Sequence, residues 1–200
     1  MQAPHPTKEA LINAVLELLS AEHLNEITSE EVLHKSGISK GSLYHHFEDF
    51  SDLLETAEVR RFSLVADATI AWLTDSLRET EKDKFLEQLE SLNEVTFGNE
   101  YKKQRLIRVK AVAHAGLTDR MKERLNLEQE RLTGAIADMC QEMQFRGWMS
   151  TKYQPKTLAV FFQAYTTGLI INDYVDHPVE ESDWLLLLSA ILKDVILATN

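Results

Sequence analysis

Gly41, Ser42, Tyr44 and His45 carry the most informative chemistry in this 200-residue chain. At about 100° per residue, Gly41, Ser42 and His45 fall on one side of a helix with Tyr44 at the flank, while Leu43 and Phe47 fall on the other. The first side has no apolar group to bury. It offers a bare stretch of backbone, a hydroxyl, an imidazole and a phenol. Such groups suit phosphate oxygens and base edges, and a glycine permits close approach to DNA. An ordinary helical hairpin with a polar outer face is the competing reading, and the ending Tyr44-His45-His46-Phe47 weighs against it.

The flanking residues are those needed to hold that face. Thr28 with Glu31 three positions on makes a capping box, and Ile27 with Val32 a hydrophobic staple. Gly37 follows the first helix, where a left-handed residue commonly ends one. Ser39 caps the next, and Ile38 with Leu43 repeats the staple spacing. Two short helices joined by a tight turn result, the second placed to lie in a DNA groove. The expected contacts are Thr28, Ser29, Lys35, Ser39, Lys40, Gly41, Ser42, Tyr44 and His45.

Residues 8–58 resemble the DNA-binding domain of the TetR family of bacterial transcriptional regulators. The likeness rests on the amphipathic opening stretch Lys8–Glu22, on Thr28-Ser29, on Gly37-Ile38-Ser39-Lys40-Gly41-Ser42-Leu43-Tyr44-His45-His46-Phe47 and on Leu53-Leu54. It is specific over 36–47 and looser outside. It implies an all-α homodimer whose N-terminal helix-turn-helix domains, residues 1–50, bind a palindromic double-stranded DNA operator. It also implies a C-terminal helical domain, residues 51–200, that binds a small-molecule effector and dimerises. In one respect the chain departs from the family. A lysine that commonly opens the fourth helix, in a Phe-x-x-Lys pattern, is replaced here in Phe47-Glu48-Asp49-Phe50, which removes one phosphate anchor.

Composition agrees with a helical protein of one small and one medium domain. Seven Gly and four Pro are few for a sheet-and-turn protein. A single cysteine, Cys140, excludes a disulfide within the chain and fits a reducing cytoplasm. No apolar run approaches the roughly 18 residues of a membrane span. The opening residues lack a signal-peptide layout. Charge is the difficulty. Net charge is −11, and through Arg61 the acids 9, 17, 22, 26, 30, 31, 48, 49, 52, 55 and 58 outnumber the bases 8, 35, 40, 60 and 61. DNA-binding modules usually carry a basic footprint. Segregation of charge, with Lys35 and Lys40 beside the reading face and helix N-termini at Thr28 and Ser39, softens the conflict.

Downstream, helix follows helix: 51–77, a stripe from Phe85 to Val95, 106–115, 118–145, 155–174 and 182–199. The last two are apolar on most sides. A four-helix dimer interface built on Phe161, Leu169, Trp184, Leu188, Leu192 and Val195 is expected, with burial inside one monomer as the alternative. Trp72, Phe85, Tyr101, Arg108, His114, Met139, Met143, Phe162 and Tyr165 are the candidates to line an effector cavity, although plain core accounts for such residues as well. His114 and Arg108 would be its polar contacts, suited to an acidic apolar compound, and Ala113 a position from which to fill it.

Catalysis is not indicated. Cys140 has no positive neighbour in sequence to lower its pKa, no metal-ligand spacing occurs, and no glycine-rich phosphate loop or other cofactor motif is present. Asp173, Asp176 and His177 read as a solvated turn. The expectation is a repressor released from its operator by a small molecule. The alternative is a helical dimer of the same fold that acts through a ligand or protein partner with little DNA binding.

Overall fold

The computed structural model describes residues 5–20 and 27–197. They form an all-α structure in the order α1 (Pro6–Ser20), α2 (Ser29–Ser36), α3 (Lys40–His46), α4 (Phe50–Ser76), α5 (Lys82–Phe97), α6 (Asn99–Ala115), α7 (Asp119–Phe145), α8 (Pro155–Gly168) and α9 (Glu181–Ile191). A 3-10 turn, Leu169–Tyr174, follows α8, and a π turn, Leu192–Ile196, follows α9. Among the described residues the only strand-like pairing is an isolated bridge between Met149 and Leu197.

The local signals act as the sequence dictates. The Glu31 N–H donates to Thr28 Oγ1 at 3.3 Å, and the Thr28 N–H donates to Glu31 Oε2 at 2.8 Å, which closes the capping box. Gly37 sits at φ 67°, a left-handed conformation that favours glycine, and its N–H reaches the Leu33 carbonyl. Ser39 Oγ accepts from the Ser42 N–H at 3.3 Å. Asp49 caps α4 by accepting from the Asp52 N–H.

Two apolar clusters result. In α1, Leu11, Ile12, Ala14, Val15 and Leu18 recur at helical spacing and are buried against Val32, Leu43, Phe47, Leu53 and Ala57. α4 then leaves that cluster and enters a second one through Phe62, Ala66 and Leu73, which meet Phe85, Leu132, Met143, Leu158 and Leu188 among others. α4 is thus one uninterrupted helix shared by both cores. α7 packs along α4, α6 and α8, and α9 lies on α5. Arg146 closes the far end of α4 by donating to the carbonyls of Leu77 and Glu79.

Two helices differ from the sequence reading. α6 begins at Asn99, a turn and more before Leu106. α8 ends at Gly168 and tightens into the 3-10 turn instead of continuing to Tyr174. That turn carries Asp173 onto Arg105 of α6: the guanidinium donates from Nε and Nη2 to both carboxylate oxygens and from Nη1 to the Thr96 carbonyl. Asp173 is therefore a buried ion-pair member and not part of a solvated turn.

Candidate DNA-reading face and effector cavity

α3 buries Leu43 completely, and Phe47 just after it is nearly so, which turns the other side of the helix outward. Lys40, Gly41, Tyr44 and His45 are exposed there, and Ser42 is half-buried. A methyl group built at Gly41 would meet nothing within 4 Å, so the fold itself does not demand glycine at this position. Thr28 is exposed and Ser29 half-buried at the head of α2. The hydroxyls of Thr28 and Ser39 are engaged in caps, and Lys35 pairs with Glu17 at 2.8 Å. His45 and His46 lie with ring centroids 5.1 Å apart, and His5 lies 4.5 Å from His46. Slight desolvation and then repulsion from His5, His45 and Lys8 lower the His46 imidazole below its ordinary value.

Part of the acidic excess of the first sixty residues is drawn to the C-terminal body. Arg120 of α7 reaches Glu48, Asp49 and Glu55 at 3.1, 3.3 and 2.7 Å. Arg124 reaches Asp52 at 2.7 Å and also donates to Thr56 Oγ1. His114 of α6 shares a 2.6 Å hydrogen bond with Glu58. Five acids of the region thus point to the C-terminal body, while Glu31 serves the cap and Glu22 and Glu26 lie outside the described residues. Burial alone would raise the Asp52 carboxyl. The Glu48 N–H and the Arg124 guanidinium outweigh it and hold the group below its ordinary value.

A cavity of about 220 Å³ opens between α4, α5, α6, α7 and α8. Of the expected residues, Trp72, Tyr101, Arg108, Met139, Phe162 and Tyr165 line it. The other three do not. Phe85 is fully buried against Trp148, with ring centroids 5.6 Å apart, because its α5 face turns into the core. Met143 is fully buried one turn beyond Met139. His114 is 54% exposed at the end of α6 and bonded to Glu58, so it belongs to the joint between the head and the body. Ala113 is likewise exposed. Sequence reading missed Thr69, Gln104, Gln163 and Thr166 in the cavity wall, since single polar residues on mixed helices carry no pattern. It also missed Arg105, Arg120 and Arg124, whose partners lie more than sixty residues away.

The expected dimer residues divide similarly. Leu169, Leu188 and Leu192 are 4–5% exposed within a single chain. They are core, which corrects the expectation that they face a second copy: α9 and the π turn after it set Leu188 and Leu192 in the second cluster, and Leu169 is buried at the start of the 3-10 turn, which packs on α6 and α8. Phe161 and Trp184 are half-buried, and the Val195 side chain lies outside the described residues. The outward apolar side chains of these segments are Val160, Ile171, Tyr174, Leu186 and Leu187. Among the described residues no helix is long and apolar enough to cross a membrane, and no group of three or more His, Cys, Asp or Glu is arranged to hold a metal ion.

No family model matches the chain. It is 24% identical over 194 residues to the nucleoid occlusion factor SlmA of Vibrio vulnificus, covering 93% of this chain and 95% of that protein. A TetR-family transcriptional regulator from Mesorhizobium loti superposes with a TM-score of 0.70 at 18% identity, over 96% of this chain and 97% of the other. A transcriptional regulator from Saccharomonospora viridis, solved in complex with choline, superposes with a TM-score of 0.69 at 16% identity, over 96% and 98%. With a helix-turn-helix head, a shared fourth helix and a helical body, the chain has the fold of the TetR-family transcriptional regulators.

Proposed function

We propose that this protein is a ligand-responsive, DNA-binding transcriptional regulator, a homodimer released from a palindromic operator by a small molecule. One observation carries the reading: the same two helices serve the cavity and the head. α4 lines the cavity with Thr69 and Trp72 and grips α6 and α7 through Asp52, Glu55 and Glu58. α6 lines the cavity with Arg108 and meets Glu58 through His114. A ligand that prefers one packing of α4 on α6 therefore biases the position of α3, by no more than its differential affinity for the two packings.

In such a dimer the two α3 helices would enter successive major grooves about 34–36 Å apart. Gly41, Ser42, Tyr44 and His45 would face bases and phosphates, with Lys40 at the backbone. The second copy would cover Val160, Ile171, Leu186 and Leu187, apolar groups otherwise left in water. The choline of the S. viridis complex is a poor guide to the effector here, because a guanidinium in the cavity wall repels a quaternary ammonium.

The likeness to a nucleoid occlusion factor supports a second reading, in which DNA is bound without effector release. A mobility-shift assay with the DNA upstream of the protein's own gene tests both. A specific shift is expected. A shift that no cavity-binding compound relieves would favour the second reading, and no specific shift would leave a helical dimer acting through another partner.

A further inference from the structure

Arg108 is 6% exposed and lies in the wall of the cavity. Its Nη2 donates to Thr69 Oγ1 at 3.2 Å, and its guanidinium carbon lies 5.9 Å from the centroid of the Tyr101 ring. Its Nε is buried and has no hydrogen-bond partner. Among the described residues, no Asp or Glu lines the cavity. Arg105, one turn earlier on α6, has its counter-charge in Asp173. A guanidinium cannot shed its proton, so it remains a cation in this place. A buried cation without a counter-charge is costly, and natural folds pair such groups. The rest of the wall is mostly apolar, with Trp72, Leu89, Ile136, Met139 and Phe162. Several of its polar groups are engaged within the chain: Tyr165 donates to Asn93, Gln163 binds Gln129 and Thr133, and Thr166 donates to the Phe162 carbonyl.

We infer that the cavity takes a small amphipathic carboxylate, an apolar body of aryl or acyl character ending in one anionic head held by Arg108. Nε and Nη2 lie side by side on the guanidinium, as they do in Arg105 on Asp173, and present the parallel pair of N–H donors that a carboxylate accepts as a fork. Nε is without a partner, and Nη2 gives one of its two N–H groups to Thr69 Oγ1. The volume, about 220 Å³, lies below the roughly 300–1,000 Å³ typical of drug-sized sites, which limits the body to a short chain or a single ring. This inference rests on the effector-responsive reading only for its biological meaning. The binding chemistry stands on Arg108 alone.

Calorimetric titration of the full-length protein with 3-phenylpropionate and octanoate, against 3-phenylpropanamide and octanamide, is the test. At least one acid should bind once per chain, roughly 10- to 100-fold more tightly than its amide. Inorganic phosphate should not compete, since it has no body to bury. In Arg108→Met the preference should collapse to under about threefold, and the unliganded variant should melt roughly 2–4 °C higher because an unpaired buried charge is gone. Failure of wild type to bind either acid, or equal affinity for acid and amide, would overturn the inference. Should Arg108→Met not fold, Arg108→Lys decides. That variant keeps the charge and loses the fork: a selective loss of acid affinity supports the inference, and unchanged affinity overturns it. Acid that binds without altering a mobility shift leaves this inference standing and sinks effector release. A shift relieved only by neutral compounds, with no acid bound, does the reverse.

Discussion

Arg105 and Arg108 lie one turn apart on α6, both buried, and the fold treats them differently. Arg105 receives Asp173 on two nitrogens and the Thr96 carbonyl on the third. Arg108 donates to one threonine hydroxyl, and its Nε meets no partner within the chain. The first charge is completed by a carboxylate of the chain, whereas the cavity wall offers none to the second. The same contrast recurs elsewhere. Leu188 is 5% exposed while Leu186, two residues earlier, is 74% exposed. Gly37 is required by its φ of 67°, whereas nothing crowds Gly41. A position that the monomer completes reports on folding. One that it leaves open points to a partner.

Each pair can be broken experimentally. The largest difference is expected between Leu188→Glu and Leu186→Glu. The former adds a buried charge to lost packing and should cost roughly 5 kcal/mol or more, enough to unfold the chain. The latter should retain helical circular dichroism and sediment as a monomer. A folded, dimeric Leu188→Glu protein would erase the distinction. Next come the arginines. Arg105→Ala strands the Asp173 carboxylate and should lower stability by about 3–5 kcal/mol in urea denaturation. Arg108→Met should leave stability equal or higher. If both variants lose stability alike, Arg108 is a structural residue.

The glycines give a smaller effect of opposite sign. Gly37→Ala forces a left-handed residue and should cost about 1 kcal/mol. Gly41→Ala should raise stability by about 0.5 kcal/mol, since alanine is the better helix former, yet weaken DNA binding by blocking close approach. Chemical denaturation and a mobility shift read the two together, and unchanged DNA affinity would remove Gly41 from the reading face. The weakest effect is the acid response of the joint. Asp52 titrates below its ordinary 3.8 in the folded chain. Its pairing therefore stabilises the protein fully above about pH 5 and is lost progressively as pH falls through the folded value. Asp52→Asn should flatten the stability profile between about pH 5 and 3, and a slope identical to wild type would assign the acid response to other groups.

The head of the molecule was legible because its signals are local. Capping boxes, staples and a left-handed glycine act within five residues, so Thr28, Gly37 and Ser39 could be assigned their roles from spacing alone. The body was legible as helices but not as a site. Trp72 and Phe85 look alike in sequence, and only the rotation of α4 and α5 about their axes decides which meets the cavity. The acidic excess misled for a related reason. A charge count is blind to direction, and the partners of Glu48, Asp52 and Glu55 come from α7, more than sixty residues on. The dimer expectation rested on hydrophobicity, which marks a leucine for burial without saying against which chain.

α4 has a mechanical consequence beyond its two sets of contacts. Twenty-seven residues without a break make a rod about 40 Å long. Arg146 holds one end, and the head sits at the other, tied to the body through Arg120, Arg124 and His114. A tilt of about 3° near the cavity would carry the head end by about 2 Å over that length. Two such rods diverging in a dimer would double the change in separation between the heads. Grooves on DNA recur at a fixed interval, so a few ångströms of mismatch are enough to forbid simultaneous engagement. In the proposed regulator the lever arm, rather than the size of the ligand, would set how far a filled cavity is felt.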